Sequence, residues 1–439
     1  VTRLRAAAPL AILLVVPLVG LAETEKPAEP KEGAVRGADL PLLETVRGIA
    51  HQVERLREQK FVRPPVAVRA PDQMRQVTAE IRMLSAVRRE RLEARGRAWA
   101  ELGFGSASIP REAYLALCAD LEGIGFDPEG NRLLVAPERL ADSDFAPRKG
   151  EDDAPSTVLL MTGVRVDEPV VSHLLTHVRQ RERLGGDWIA DTTDGLLARA
   201  AWAEGEANVV AVRYLFGGMG LADDVLGESF DPADVLDGAL LPPDLDGLAP
   251  PVEAFVRFVY EEGFAAAART YREGGWKALE REIARRGATS DLLHAGRQPR
   301  EAAAVASEPP PQAQGLALAD EDTLGEQGVI VLVSTVTGKD SLALQAGDGW
   351  VGDRLYRYEG EKPATAVTLW VTRWATADDA ADFDYAVSRM LEARFPGKPP
   401  LTLETGERVL QTQDRIIRLT RGEREVRLQV ATRDRDGLP

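Results

Sequence analysis

The sequence predicts an α+β protein, mostly helical, with a small β-sheet in its first two thirds and a smaller mixed α/β unit at the C-terminal end. Three observations predict this. Apolar residues recur at helical spacing in long stretches before residue 300, as in Val46, Ile49, Val53 and Leu56. Short β-prone runs bounded by turn residues interrupt those stretches, as in Leu133-Leu134-Val135 after Asp127-Pro128-Glu129-Gly130-Asn131. Beyond residue 350 the pattern becomes alternation, with Val367, Leu369 and Val371 on one face.

The elements follow in order. Val46, Ile49, Val53 and Leu56 mark a first helix, which Pro64-Pro65 ends. Val66-Ala67-Val68 suits a short strand. One long helix is expected from about Asp72 to Leu102, with Met74, Val77, Ile81 and Leu84 as its apolar stripe. Pro110 opens a helix carrying Tyr114, Leu117 and Leu121. Strands are expected at Leu133-Leu134-Val135 and Val158-Leu159-Leu160-Met161, with a polar loop over 149–155 between them. Asp167 and Pro169 start a helix that Gly185-Gly186 stops, and another runs from about Asp194 to Leu215. Further helices are expected around Phe255-Tyr260 and Trp276-Ile283. Residues 301–322, rich in Ala, Pro and Glu, read as a linker. After it, 328–336 is apolar and ambiguous, 354–374 alternates, 378–395 is helical, and 408–432 reads as two strands around Arg421-Gly422.

At 439 residues, with 44% hydrophobic and 28% charged, the chain suffices for a large core and two structural units. These are expected over 45–300 and 323–439. Arg3, Arg5, the apolar run Ala6 to Leu21 and the small residues Gly20-Leu21-Ala22 read as a signal peptide over 1–22. The run holds Pro9 and Pro17 and is too short for a span, so no stable membrane anchor is expected after cleavage. Residues 23–44 read as a flexible tether, and the protein as exported, periplasmic or extracellular. A net charge of -16 argues against nucleic acid or an anionic membrane as partner. Cys118 is the only cysteine, so no internal disulfide forms, and its apolar helical setting reads as packing.

The feature that carries chemistry is His173-Leu174-Leu175-Thr176-His177, two of only four histidines in the chain. Residues at i and i+4 share a helix face, so both imidazoles can reach one metal ion. Zinc peptidases place a glutamate directly after the first histidine to activate water, and Leu174 cannot do that. A third ligand is expected from a carboxylate on a following helix. Glu204 shares a stripe with Leu197, Ala200, Ala201, Asn208 and Ala211 and therefore faces inward. Glu206 falls with Arg199 and Arg213 and reads as a solvated charge. Asn208, one turn after Glu204, is placed to bond a ligand histidine. Asp194 either caps its helix or does the same.

The chain resembles a group of exported, largely uncharacterised bacterial proteins with a gluzincin-type metallopeptidase core. These carry a His-Glu-Leu-x-His-Ala-Leu-Gln-Asp-Gln helix and a later Glu-Gly-Asp/Glu-Ala motif. Here the two read His173-Leu174-Leu175-Thr176-His177-Val178-Arg179-Gln180-Arg181-Glu182 and Glu204-Gly205-Glu206-Ala207. Gly125-Phe126-Asp127-Pro128, Gly274-Gly275-Trp276, Thr289 to His294, Leu324-Gly325-Glu326 and Gly349 to Asp353 match further landmarks. The resemblance covers roughly residues 45 to 385. It implies a zincin-like helical core with zinc held by His173, His177 and Glu204. The general base it also implies is absent at Leu174, and Arg179 and Arg181 depart from the pattern.

The expectation is an exported metallopeptidase-like protein that has lost its general base and activity, keeps a zinc set, and binds peptide or protein. Two alternatives stay open: a working zinc hydrolase with a non-standard base, and a metal-free structural periplasmic protein. Glu182, Glu206 and Asp187 are the acids near enough in sequence to replace the base.

Overall fold

The structure, a computed structural model, describes residues 40–432 apart from 120, 122, 141–166, 186–189, 228–244, 246, 286, 295–304, 306 and 361–364. The signal peptide expected over 1–22, the loop over 149–155 and the strand expected at Val158 to Met161 lie outside the described residues. So does the tether up to residue 39. Leu40 to Glu44, assigned to that tether, instead form the first turn of helix α1 (Leu40–Arg57), because Leu42 and Leu43 pack into the core.

Three short strands, β1 (Val66–Arg69), β2 (Ile124–Asp127) and β3 (Arg132–Val135), form a sheet in the order β1-β3-β2. β1 runs parallel to β3, with Val66 opposite Arg132, and β2 runs antiparallel to it, with Ile124 opposite Val135. Between β1 and β2 lie α2 (Asp72–Ala86), α3 (Arg89–Leu102) and α4 (Ile109–Ala116). The single helix expected over 72–102 is therefore two. Val87 and Arg88 are extended (φ -138 and -60, ψ 127 and 144) and separate them. The expected stripe is also displaced. Val77 and Ile81 are exposed, and Arg75, Ala79 and Met83 face inward.

The middle of the chain is helical. α5 (Asp167–Leu184) lies against β2 and β3, as expected of the histidine helix, and against α6 (Thr193–Gly217). After a short α7 (Ala222–Val225) come α8 (Pro250–Arg257), a π-helical turn (Phe258–Glu262) and α9 (Gly263–Ala284), kinked at Gly275. α6 and α9 approach closely through two glycines. A Cβ on Gly205 would stand 2.2 Å from the Gly263 carbonyl oxygen, and one on Gly263 would stand 2.3 Å from that of Ala201. α10 (Thr289–Leu293) follows.

The C-terminal part holds β4 (Ala317–Asp322), α11 (Gly325–Thr337), α12 (Asp340–Gly347), β5 (Trp350–Glu359), β6 (Ala366–Trp374), α13 (Ala377–Arg394), β7 (Leu401–Thr402), β8 (Arg408–Gln411), β9 (Arg415–Arg421) and β10 (Glu425–Thr432). Its strands form an antiparallel sheet in the order β4-β5-β6-β10-β9-β8-β7. The ambiguous run over 328–336 is helix, and the two strands expected over 408–432 are three, with a turn at Thr412 to Asp414. The protein is thus α+β, mostly helical, with a small sheet beside the histidine helix.

The stretch read as a linker, 301–322, ends in β4, an edge strand of the large sheet. The two expected units share one hydrophobic core, in which Val329, Leu332 and Val333 of α11 join Leu197 of α6 and Phe255 of α8. An ion-pair network binds β4 to the helices. Arg95 of α3, 0% exposed, donates to Asp320 (2.9 Å) and lies 3.3 Å from Asp322. Asp322 in turn accepts from the backbone and hydroxyl of Thr193, both at 2.7 Å, at the start of α6. Arg95 also donates to the Tyr114 hydroxyl at 3.0 Å. Linkage by buried charge explains why composition misread β4: its acidic residues are satisfied inside the protein rather than by water.

Removing one partner of a buried ion pair leaves the others desolvated and unpaired. Arg95→Met is therefore expected to lower the unfolding free energy by about 3–5 kcal/mol, read as a drop in denaturant midpoint. A loss below about 1 kcal/mol would show that the network does not hold β4 to the helices.

Candidate metal centre

α5 and α6 meet along a row of buried polar side chains. His173 (0% exposed) and His177 (4%) lie one turn apart on α5, and Glu204 (8%) and Asn208 (0%) lie one turn apart on α6. His173 Nε2 stands 2.9 Å from Glu204 Oε2, His177 Nε2 stands 3.4 Å from Glu204 Oε1, and the two Nε2 atoms are 3.1 Å apart. Asn208 Oδ1 meets His173 Nδ1 at 2.8 Å, and Gln180 Oε1 meets His177 Nδ1 at 2.8 Å. The i,i+4 spacing and the Glu204 stripe therefore bring together the residues they were expected to.

Zinc bonds of 2.0–2.2 Å at tetrahedral angles would separate neighbouring ligand atoms by roughly 3.3 Å. The two Nε2 atoms lie near that separation from each other, and each lies near it from one oxygen of Glu204, a different oxygen for each ring. Among the described residues, His173, His177 and Glu204 are the one group of three or more His, Cys, Asp or Glu with ligand atoms so close, all within 4.8 Å. The donor set, two imidazoles and a carboxylate, is one of those that zinc takes when a fourth position stays open. The residues present fit the metal.

The charges are tightly coupled. Burial opposes ionisation of Glu204, yet the His177 charge and hydrogen bonds from both rings outweigh it and hold the carboxyl well below its ordinary range. Burial lowers the His173 pKa, and Glu204 offsets this only in part. At His177 burial also works downward, but Glu204 prevails and the pKa rises. Tyr260, on the π-helical turn, lies close enough to Glu204 to feel its charge. Burial, and then the Glu204 charge, hold its hydroxyl protonated well above the usual range. A π-turn often marks a functional site, and here it sets an aromatic hydroxyl against the third candidate ligand.

Leu174 is 4% exposed and packs in the core with Val170, Val171, Leu175 and Val178. The two described acids considered as replacements for the base are committed elsewhere. Glu182 accepts from the backbone of Val62 and Arg63 at 3.1 and 3.2 Å. Glu206 corrects the sequence reading. It is 1% exposed and pairs with Arg57 and with Arg183 (3.5 Å), on the far side of Gln180. α6 is buried on every face, so helical spacing alone could not assign one residue inward and another outward. Asp187 lies outside the described residues. Tyr260, Gln180 and Arg57 were not singled out by sequence, although Gln180 lies three residues after His177 on the same face.

Asp194 bonds no histidine and does not cap α6. The cap is Thr192, whose side chain accepts from the Gly195 amide at 3.2 Å. Ten residues before Glu204, Asp194 lies roughly 15 Å away along the helix. There it accepts from the backbone and hydroxyl of Thr289 at 2.9 and 2.6 Å. Gly325 packs against it so closely that a Cβ would stand 1.9 Å from its Oδ1. Asp194 and the Thr289 and Gly325 landmarks thus meet in one packing junction. Cys118 is half-buried with its thiol pKa raised first by burial, which matches a packing role. Among the described residues no helix is long and apolar enough to cross a membrane.

A family model described as "Domain of unknown function (DUF8575)" matches residues 314–438. That match takes in β4 through β10 and none of the three candidate ligands. No curated protein matches the chain, and no solved structure does.

Burial raises the Asp194 pKa to about 7, against the lowering effect of its Thr289 bonds. Between about pH 4 and pH 7 the folded protein therefore holds a proton that the unfolded chain releases, and stability falls as pH rises through that window. Asp194→Asn is expected to remove up to about 1.4 kcal/mol per pH unit of that downward slope, read from denaturant unfolding across the range. An unchanged slope would show that Asp194 titrates normally.

Proposed function

We propose that this protein is an exported metallopeptidase-like protein that has lost its general base, performs no peptide hydrolysis, and keeps a zinc-binding triad at His173, His177 and Glu204. It acts by binding peptide or protein. One observation carries the reading: three ligating atoms of the right kinds converge, while the position that should hold the base is a buried leucine. A bound zinc would lower the pKa of its water and polarise a carbonyl oxygen. The chain's own residues do the rest. His173 and His177 present Nε2 atoms from one helix face, Glu204 supplies the compensating charge, and Asn208 meets the far nitrogen of His173. Proton transfer to a leaving amine draws no help from Leu174, which is apolar, or from Glu182 and Glu206, which are committed elsewhere.

A metal-free reading draws support from the same distances, because 2.9 and 3.4 Å also suit hydrogen bonding of Glu204 to both rings. Such a triad would be a satisfied, buried polar cluster in a structural protein.

The test restores the missing group. Zinc-loaded parent protein is expected to hydrolyse no unstructured peptide above background. Leu174→Glu is expected to raise zinc-dependent hydrolysis by about 10²- to 10⁴-fold, with folding checked by circular dichroism. Zinc-dependent hydrolysis by the parent, lost in His177→Ala, would overturn the proposal.

A further inference from the structure

Gln180 is 1% exposed, and its side-chain nitrogen has two acceptors, the Ala203 carbonyl oxygen and Glu206 Oε2, each at 2.9 Å. Both amide hydrogens are therefore used on α6. The reverse orientation would set the amide oxygen against a carbonyl and a carboxylate, two acceptors with no proton between them. Gln180 Oε1 is thus fixed toward His177, 2.8 Å from Nδ1, and can only accept. It follows that His177 carries a proton on Nδ1; the charged ring donates from Nε2 to Glu204 as well, and in the neutral ring Nε2 is a bare lone pair. That lone pair points at the place where His173 Nε2 and Glu204 Oε1 also converge.

The orientation of Gln180 is anchored in turn. Glu206 is held by Arg57, which is 2% exposed, lies 4.0 Å over the Trp276 ring and pairs with Glu280 at 3.1 Å. Trp276 itself donates to the Leu56 carbonyl oxygen at 2.8 Å. A continuous chain therefore runs from α9 through Arg57, Glu206 and Gln180 to one imidazole. The other imidazole has no such anchor. Asn208 Oδ1 faces His173 Nδ1, but Asn208 Nδ2 has no hydrogen-bond partner among the described residues, so either amide orientation serves.

We propose that Gln180, oriented by Glu206, is the positioning residue that locks His177 in its Nδ1-protonated tautomer and so holds Nε2 ready for a metal. Without an acceptor at Nδ1, the ring proton moves to Nε2, where Glu204 Oε1 accepts it at 3.4 Å. That proton occupies the lone pair that ligation needs. The consequence for metal affinity rests on the zinc-binding reading above; the tautomer assignment does not.

The two parts are tested separately on the full chain. Proton–nitrogen spectra of protein labelled with ¹⁵N-histidine, recorded at pH 8, distinguish the two tautomers without metal, and four histidines keep assignment simple. His177 is expected as Nδ1–H in the parent and as Nε2–H in Gln180→Leu. In Asn208→Leu, His177 is expected to keep Nδ1–H. Zinc affinity is expected to fall about 10- to 100-fold in Gln180→Leu, with a parallel weakening of the cobalt(II) visible band. The swap Gln180→Glu with Glu206→Gln returns an acceptor to His177 and a donor to residue 180, and is expected to restore the tautomer and most of the affinity. Circular dichroism checks that each variant is folded, and the swap tests the assignment should Gln180→Leu not fold. An Nδ1–H tautomer that persists in Gln180→Leu, or a swap that leaves His177 as Nε2–H, overturns the proposal. A parent that binds no zinc but shows the expected tautomer change refutes the metal reading while upholding the hold of Gln180 on the ring.

Discussion

The buried polar seam between α5 and α6 is the constraint on which the middle of this protein depends. His173, His177 and Gln180 on one helix meet Glu204, Asn208 and Glu206 on the other inside a core that is otherwise apolar. Each polar group there is costly unless paired, and the present register of the two helices pairs all six side chains, leaving only the Asn208 Nδ2 amide group of the seam without a partner among the described residues. A slide of one turn that put His177 where His173 stands would leave Glu204 with one imidazole instead of two. Packing of small residues reinforces that register. Gly205 and Gly263 let α9 close on α6, and this carries the π-turn and Tyr260 to Glu204.

The seam also explains how remote parts of the chain bear on two histidines. Arg57 at the end of α1 and Trp276 on α9 fix Glu206, which orients Gln180. At the other end, Asp322 of β4 holds the start of α6 through Thr193, so the large sheet helps to set the axis along which Glu204 and Asn208 are displayed. The matched region over 314–438 therefore touches the helix that bears Glu204 without containing any candidate ligand.

Much of this was legible in the sequence, for reasons that can be named. The i,i+4 histidines needed only helix geometry, and Glu204 and Asn208 followed from a stripe of small and apolar neighbours. The α+β class followed from the change of period along the chain. Other features were hidden by burial. Glu206 looked solvated because it shares a face with arginines, yet α6 is enclosed all round and its polar faces are paired inside. Val77 and Ile81 looked like a core stripe, but α2 turns Arg75 and Met83 inward and leaves those two exposed. Acidic β4 looked like linker because its partner Arg95 lies more than two hundred residues away in sequence. Asp194 could not be placed from its own helix, since its partner Thr289 belongs to another.

The proposed function requires the seam to be a ligand set rather than a self-satisfied cluster. Calorimetric titration of the chelator-treated protein with zinc, beside His177→Ala, tests that most directly. Tight one-to-one binding with release of protons from the coupled histidines is expected in the parent, and its loss in the variant. Heats no larger in the parent than in His177→Ala would contradict it, and would mean that His173, His177 and Glu204 only hold two helices together.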